Sequence, residues 1–188
     1  MRAAHPEAEL AVWAEDEHRL GLVPVVRRVW APRGHRPTAH VQRRYEWLSV
    51  YGFVRPSTGQ SWWCLLPTVN VDAFSVALAT FARDERIDAT HRVVLVIDQA
   101  GWHVSGRLPV PAGIELVFLP PASPERQPAE RLWVLVDEPV ANRAFPDPDG
   151  LEEVLVDRCR TLEASPQRLQ AHTRFHWWPR EPSASYVL

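Results

Sequence analysis

The run VVLVI at positions 93–97 constrains the fold more than any other part of this sequence. A short, uninterrupted stretch of β-branched and aliphatic residues is the signature of a strand buried on both faces, which needs a covering layer on each side. A carboxylate, Asp98, follows at once, with Gly101 and His103 close behind. Burying an ionised carboxylate is costly unless backbone amides or a cation compensate it. The position of Asp98 therefore asks what partner stands at the mouth of that strand.

The flanking periodicities supply the layers. LAVWAED (10–16) reads as a short strand, and VVRRVWA (25–31) and RYEWLSVYGFV (44–54) alternate as antiparallel strands. RPSTGQ (55–60) is a turn leading into a fourth strand, SWWCLLPTV (61–69). Asn70 or Asp72 caps a helix whose Phe74, Ala77, Leu78 and Phe81 fall on one face. After the buried strand come IELVFLP (114–120) and helices around 128–143, 150–163 and 166–172, the first kinked or broken at Pro139. A meander followed by strand–helix alternation is a sheet covered by helices, with its later strands parallel.

The 188 residues suit one domain with a sizeable core, and a net charge of −2 implies no polyanion or membrane partner by itself. The distribution of charge says more. All 21 basic residues are arginine, and eight of them lie between His18 and Val71 against a single acid, Glu46. A basic first third is the footprint of a phosphate-binding surface or, equally, of solvated strand faces. Cys64 and Cys159 lack metal or disulfide spacing, which points to a reducing compartment. MRAAHPEAELAVWAED has no apolar signal core, and no apolar run approaches a membrane span.

Three acids stand where backbone elements end: Asp16, Asp98 and Glu130. Ligands of mixed sheets gather beyond the C-terminal ends of parallel strands, and carboxylates converging there suit Mg²⁺. Each acid has a plainer role open to it. Asp98 can be satisfied by backbone amides, and Glu130, following Pro128, can serve as a capping-box acid at the third helical position. Asp16 sits between Glu15 and Glu17; alternation puts it on one face with Leu10, Val12 and Ala14, and its two neighbours on the other. Glu125 and Asp137 are rivals for the third place. Trp102, Trp133, Trp177 and Trp178 read as packing residues. His172 and His176 have no third ligand nearby for zinc.

Two stretches, DQAGWH (98–103) and VFLPPASPERQPAERLW (117–133), resemble the catalytic core of DDE-superfamily transposases, most of all the bacterial insertion-sequence branch of the mariner superfamily. EDEHRLGLVP (15–24), RRVWAPRGHRP (27–37), YGFVRPSTGQ (51–60), DEPVANRAF (137–145), LEEVLVDRCRTL (151–162) and TRFHWWP (173–179) are similar to that branch as well.

The resemblance implies an α/β, ribonuclease-H-like fold: a mixed five-stranded sheet flanked by helices, one catalytic domain over 1–180 with a tail at 181–188. It implies Asp16, Asp98 and Glu130 as catalytic ligands of two Mg²⁺ (or Mn²⁺) ions, with Asp98 bridging them. His103 would touch the scissile phosphate or orient a ligand, and Glu17 is a second candidate for such a role. Arg33, His35 and Arg36, at a hairpin tip, would contact the DNA backbone. The implied activity is metal-dependent DNA cleavage and strand transfer in the bacterial cytoplasm, on transposon ends and target DNA, by a homodimer. Relatives carry a helix-turn-helix module ahead of this domain; 15 residues precede Asp16 here, which implies either the second reading frame of a split gene, its module encoded separately, or a truncated remnant. A non-catalytic DNA-binding remnant, or another nuclease on the same fold, are the alternative readings.

Overall fold

The computed structural model describes residues 7–35, 37–38 and 44–179. Five strands form one sheet in the order β3-β2-β1-β4-β5. They are β1 (Glu9–Gly21), β2 (Trp47–Arg55), β3 (Gln60–Leu66), β4 (His91–Ile97) and β5 (Ile114–Phe118). The first three make an antiparallel meander, whereas β4 runs parallel to both β1 and β5. The mixed five-stranded sheet is the one the resemblance implied.

Burial on both faces of β4 holds. Val93, Leu95 and Ile97 pack with Ala11, Trp13 and helix α1 (Val71–Asp84), through Phe74, Ala77, Leu78 and Phe81. The Asn70 side chain accepts from the Ala73 N–H (2.8 Å) and caps that helix. On the opposite face Val96 joins Val12 and Ala14 against α2 (Leu132–Val136), α3 (Pro148–Glu163) and α4 (Pro166–Thr173). Alternation along β1 thus sends odd-numbered residues toward α1 and even-numbered ones toward α2–α4. Cys64 and Cys159 are free thiols.

Three expected elements differ. The first strand does not close at Asp16 but runs on to Gly21, so Asp16 lies within it. Residues 25–31 form no strand. β1 continues to Gly21 and pairs with β2 as far as Trp47, so the ladder that VVRRVWA would need is taken. The segment instead runs extended along Asn142, which accepts from the Arg27 N–H through Oδ1 (2.9 Å) and donates through Nδ2 to the Arg27 carbonyl (3.0 Å). Val26, Val29 and Trp30 are left exposed. The helix expected over 128–143 is short: a single 3₁₀ turn (Ala129–Arg131) leads into α2, which stops at Val136, before Pro139.

The register positions the site. Pairing between β1 and β4 ends at Ala14↔Val96, while β1 runs on beside β2 with Asp16 opposite Gly52. A crevice therefore opens beyond the C-terminal end of β4, where the chain reverses its order in the sheet. Gly52 makes room there: a Cβ would lie 2.9 Å from the Trp133 ring.

Candidate active site

Asp16, Asp98 and Glu130 line one cleft of about 270 Å³, together with Gln99, Gln127 and the segment from Leu119 to Pro124. Each arrives on a different element: Asp16 within β1, Asp98 one residue past β4, Glu130 in the turn before α2. That turn is held in place by buried Gln127, whose Nε2 donates to the Glu15 carbonyl (2.8 Å). Gln99 likewise ties the loop after β4 to the Leu119 carbonyl (2.8 Å).

Glu130 does not close a capping box. The residue at the cap position is Pro128, which has no N–H to donate to the glutamate. Glu130 instead lines the cleft with Asp16, and the indole N–H of Trp133 donates to Asp16 Oδ2 (2.8 Å). Burial, then the Glu130 hydrogen bond, then the charges of Glu130 and Glu17 push the Asp16 carboxyl up to about 8; the Trp133 bond opposes them. A buried carboxyl raised in this way holds a proton, and a divalent cation can take that proton's place. The donor set is all hard oxygen, which fits Mg²⁺ or Mn²⁺.

Asp98 itself is not buried. Its side chain is 52% exposed, and Oδ1 accepts from the Ala100 N–H and from His103 Nδ1 (2.8 Å each). The buried acid is its neighbour in space on the other face of β1: Glu15 is 0% exposed and both its carboxylate oxygens lack a hydrogen-bond partner. Burial first, then the charges of Glu17, Asp16 and Asp98, raise its carboxyl well above the usual range. Glu15, Glu17 and His103 lie close enough to share an ion. This is a different set from the three acids of the cleft. His103 is 2% exposed, so it does not reach a phosphate in the cleft.

The rivals for the third place fall away by position. Glu125 is exposed and pairs with Arg126 (3.8 Å). Asp137 is engaged with His18 Nε2 (2.9 Å) and Arg27 Nη2 (3.1 Å). Among the described residues His172 and His176 belong to no metal-binding group. Arg33 and His35 sit on an exposed turn closed by His35 N–H to the Pro32 carbonyl (3.0 Å), with Gly34 at φ +88°; no strand flanks it on the described side. Arg36 lies outside the described residues, as does the tail at 181–188. Sequence reading missed two members of the site, Trp133 and Gln127. A tryptophan or glutamine packed into a core must place its N–H groups on acceptors, and here those acceptors are Asp16 and the backbone beside it.

A family model described as DDE superfamily endonuclease matches residues 11–152. A protein of Sinorhizobium fredii (strain NBRC 101917 / NGR234), named "Uncharacterized protein y4pE/y4sA", is 40% identical over 106 residues, which is 56% of this chain and 77% of that one. Among solved structures, the Mos1 strand transfer complex is similar at 17% identity and a TM-score of 0.56, over 87% of this chain and 55% of that one. The Mos1 mariner paired end complex with Mn is similar at 16% identity and 0.57, over 87% and 56%. The corresponding complex with Mg is similar at 16% and 0.54, over 88% and 56%. The chain thus spans little more than half the length of these transposase chains and shares their fold. With the family model covering most of the chain, from β1 into α3, the protein belongs to the DDE superfamily endonucleases.

Proposed function

We propose that this chain is the catalytic domain of a DNA transposase, which cleaves and joins DNA strands by metal-dependent phosphoryl transfer. The observation that carries this reading is the meeting of Asp16, Asp98 and Glu130 on one cleft at the end of β4, from three separate segments. These carboxylates would hold two Mg²⁺ or Mn²⁺ ions. The similar mariner complexes with Mn and with Mg support that choice. Bound there, the ions supply activation of a water or a DNA 3′-hydroxyl and neutralise charge at the phosphorus and leaving oxygen.

The chain's own residues prepare the site. The raised Asp16 carboxyl would give up its proton to bind a cation. Trp133 holds Asp16 through Oδ2, and Gln127 keeps Glu130 at the cleft by fixing its turn to β1. The wall from Leu119 to Pro124 contains three prolines, a stiff edge against which a DNA strand can lie.

Arg33, His35 and Arg36 are assigned to backbone contacts with DNA. The paired-end and strand-transfer complexes of similar fold support both transposon ends and target DNA as partners, and a homodimer as the working unit. Selection of particular ends is assigned to a separately encoded helix-turn-helix module, with the whole acting in the bacterial cytoplasm. No described helix is long and apolar enough to cross a membrane.

The test is nicking of duplex DNA by the wild-type chain and by Asp98→Asn. Cleavage should need Mg²⁺ or Mn²⁺, stop in EDTA, and fall by several orders of magnitude in the variant. Metal-independent cleavage, or an active Asp98→Asn, would overturn the reading. Binding of DNA with no cleavage would favour the non-catalytic remnant.

A further inference from the structure

We infer that His103 is a positioning residue that fixes the Asp98 carboxylate for cation binding, braced from behind by Glu17. The inference rests on the proposed function and adds a residue to it that touches neither metal nor DNA.

The geometry begins in the loop after β4. Ala100 accepts the His103 N–H (2.9 Å), a tight turn that brings the ring back beneath Asp98. Phe74 of α1 lies against that ring at 4.5 Å, which removes its freedom to swing. Nδ1 stands 2.8 Å from Asp98 Oδ1, the same oxygen that accepts from the Ala100 N–H. With two bonds on Oδ1, the carboxylate is fixed about its Cβ–Cγ axis while Oδ2 takes part in neither bond. An aspartate 52% exposed would otherwise sample several rotamers, and each cation bound would have to order it.

The other edge of the ring is equally defined. Nε2 lies 3.1 Å from Glu17 Oε1, which also accepts from the Trp102 indole N–H (2.8 Å). Glu15 Oε2 is 3.6 Å from the same nitrogen. The Trp102 indole nitrogen also lies 3.1 Å from Nε2, so the ring is held between the two carboxylates, and a chain Glu17–His103–Asp98 runs from the α1 face of β1 to the cleft. Partners of this kind, which hold a ligand rather than the metal, are typically worth ~10–100-fold in metal affinity or activity.

Asparagine and glutamine separate the two edges. In His103→Asn the amide nitrogen stands near the position of Nδ1 and keeps the donor to Asp98. In His103→Gln the amide reaches toward Glu17 and the donor to Asp98 is lost. Mn²⁺ binding is measured by electron paramagnetic resonance on the whole chain without DNA, alongside melting curves in EDTA. The expected result is affinity ~10–100-fold weaker in His103→Gln and within a few-fold of wild type in His103→Asn. If the glutamine variant does not melt cooperatively, His103→Leu, which also lacks the donor, takes its place. Equal Mn²⁺ affinity in the donor-keeping and donor-lacking variants overturns the positioning role while leaving the proposed function standing. A wild-type chain that binds no Mn²⁺ at millimolar concentration overturns both. So does, for the positioning role alone, an ion that is retained by Glu130→Gln and lost in His103→Asn, since the ring would then be a ligand of its own site with Glu15 and Glu17.

Discussion

Asp16 and Glu130 line the same cleft, and burial together with the neighbouring Glu130 raises the Asp16 carboxyl; substitution of either tests what that juxtaposition is for. If Glu130 were only a helix-start acid, Glu130→Gln would be mild, at the ~0.3–1 kcal/mol of a lost dipole interaction. With Pro128 at the cap and the carboxyl turned to Asp16, the change should instead reduce metal-dependent strand cleavage by several orders of magnitude. Melting temperature in EDTA should hold or rise, because a repulsion is removed; near-normal cleavage would point away from Glu130. The pH dependence of the metal-free protein follows from the same groups. Glu15, Asp16 and His103 all bind protons more tightly folded than unfolded, Asp16 up to about 8 against an unfolded value of 3.8. For such groups the stabilisation is complete below the unfolded value and is lost as pH rises through the folded one. Melting temperature in EDTA should therefore fall between pH 5 and pH 8, and Asp16→Asn should flatten that fall. Millimolar Mn²⁺ at pH 8 should restore stability and release protons into a weakly buffered solution. A melting temperature indifferent to both pH and Mn²⁺ would argue against a raised Asp16 carboxyl at a cation site.

Among its described residues the basic segment between β1 and β2 has no helix or strand, and Asn142 holds it at Val25 and Arg27. Asn142, at φ 58°, presents its side-chain amide to both backbone groups of Arg27, and its own N–H donates to the Val25 carbonyl (2.8 Å). The Arg27 guanidinium then meets Asp137 and the Val134 carbonyl. Asn142→Gly keeps the left-handed backbone and deletes only the amide, so it isolates those two bonds. The expected cost is about 1–3 kcal/mol in a denaturant titration, at roughly 0.5–1.5 kcal/mol per bond. Amide hydrogen exchange at Arg27 should quicken, while that of β4 stays slow. Unchanged exchange at Arg27 would mean that the Asp137 contact alone holds the segment.

At the scale of the whole molecule the arginines divide into those already used and those available. Arg19 lies over the Trp47 ring, Arg27 pairs with Asp137, and Arg44 pairs with Glu46, whereas Arg28 and Arg33 stand exposed. The basic first third is thus partly internal scaffolding, and fewer phosphates should be contacted than its charge count suggests. DNA affinity should still fall linearly in a log–log plot against salt. Replacing Arg33 and Arg36 together should flatten the slope by about two contacts, at roughly 0.9 per phosphate on duplex DNA. An unchanged slope, read by fluorescence anisotropy across a salt series, would move the DNA path to another face.

What the sequence determined by itself was whatever depends on neighbours along the chain. VVLVI specifies a strand covered on both sides, the spacing of Phe74, Ala77, Leu78 and Phe81 specifies α1, and Asn70 caps it, because the hydrophobic period and the cap are local properties. The alternation that parted Asp16 from Glu15 and Glu17 was legible for the same reason. The tertiary structure decided the rest. Whether VVRRVWA became a strand depended on which edge of β2 was free, and β1 had taken it. Which acid is buried depended on what stacks over β1: α1 and the His103 loop enclose Glu15, while the end of β4 leaves Asp98 open to the cleft. Glu130 joined Asp16 because Gln127, Trp133 and Gly52 fit the turn before α2 against β1 and β2, contacts spanning more than 75 residues of chain that no local pattern records.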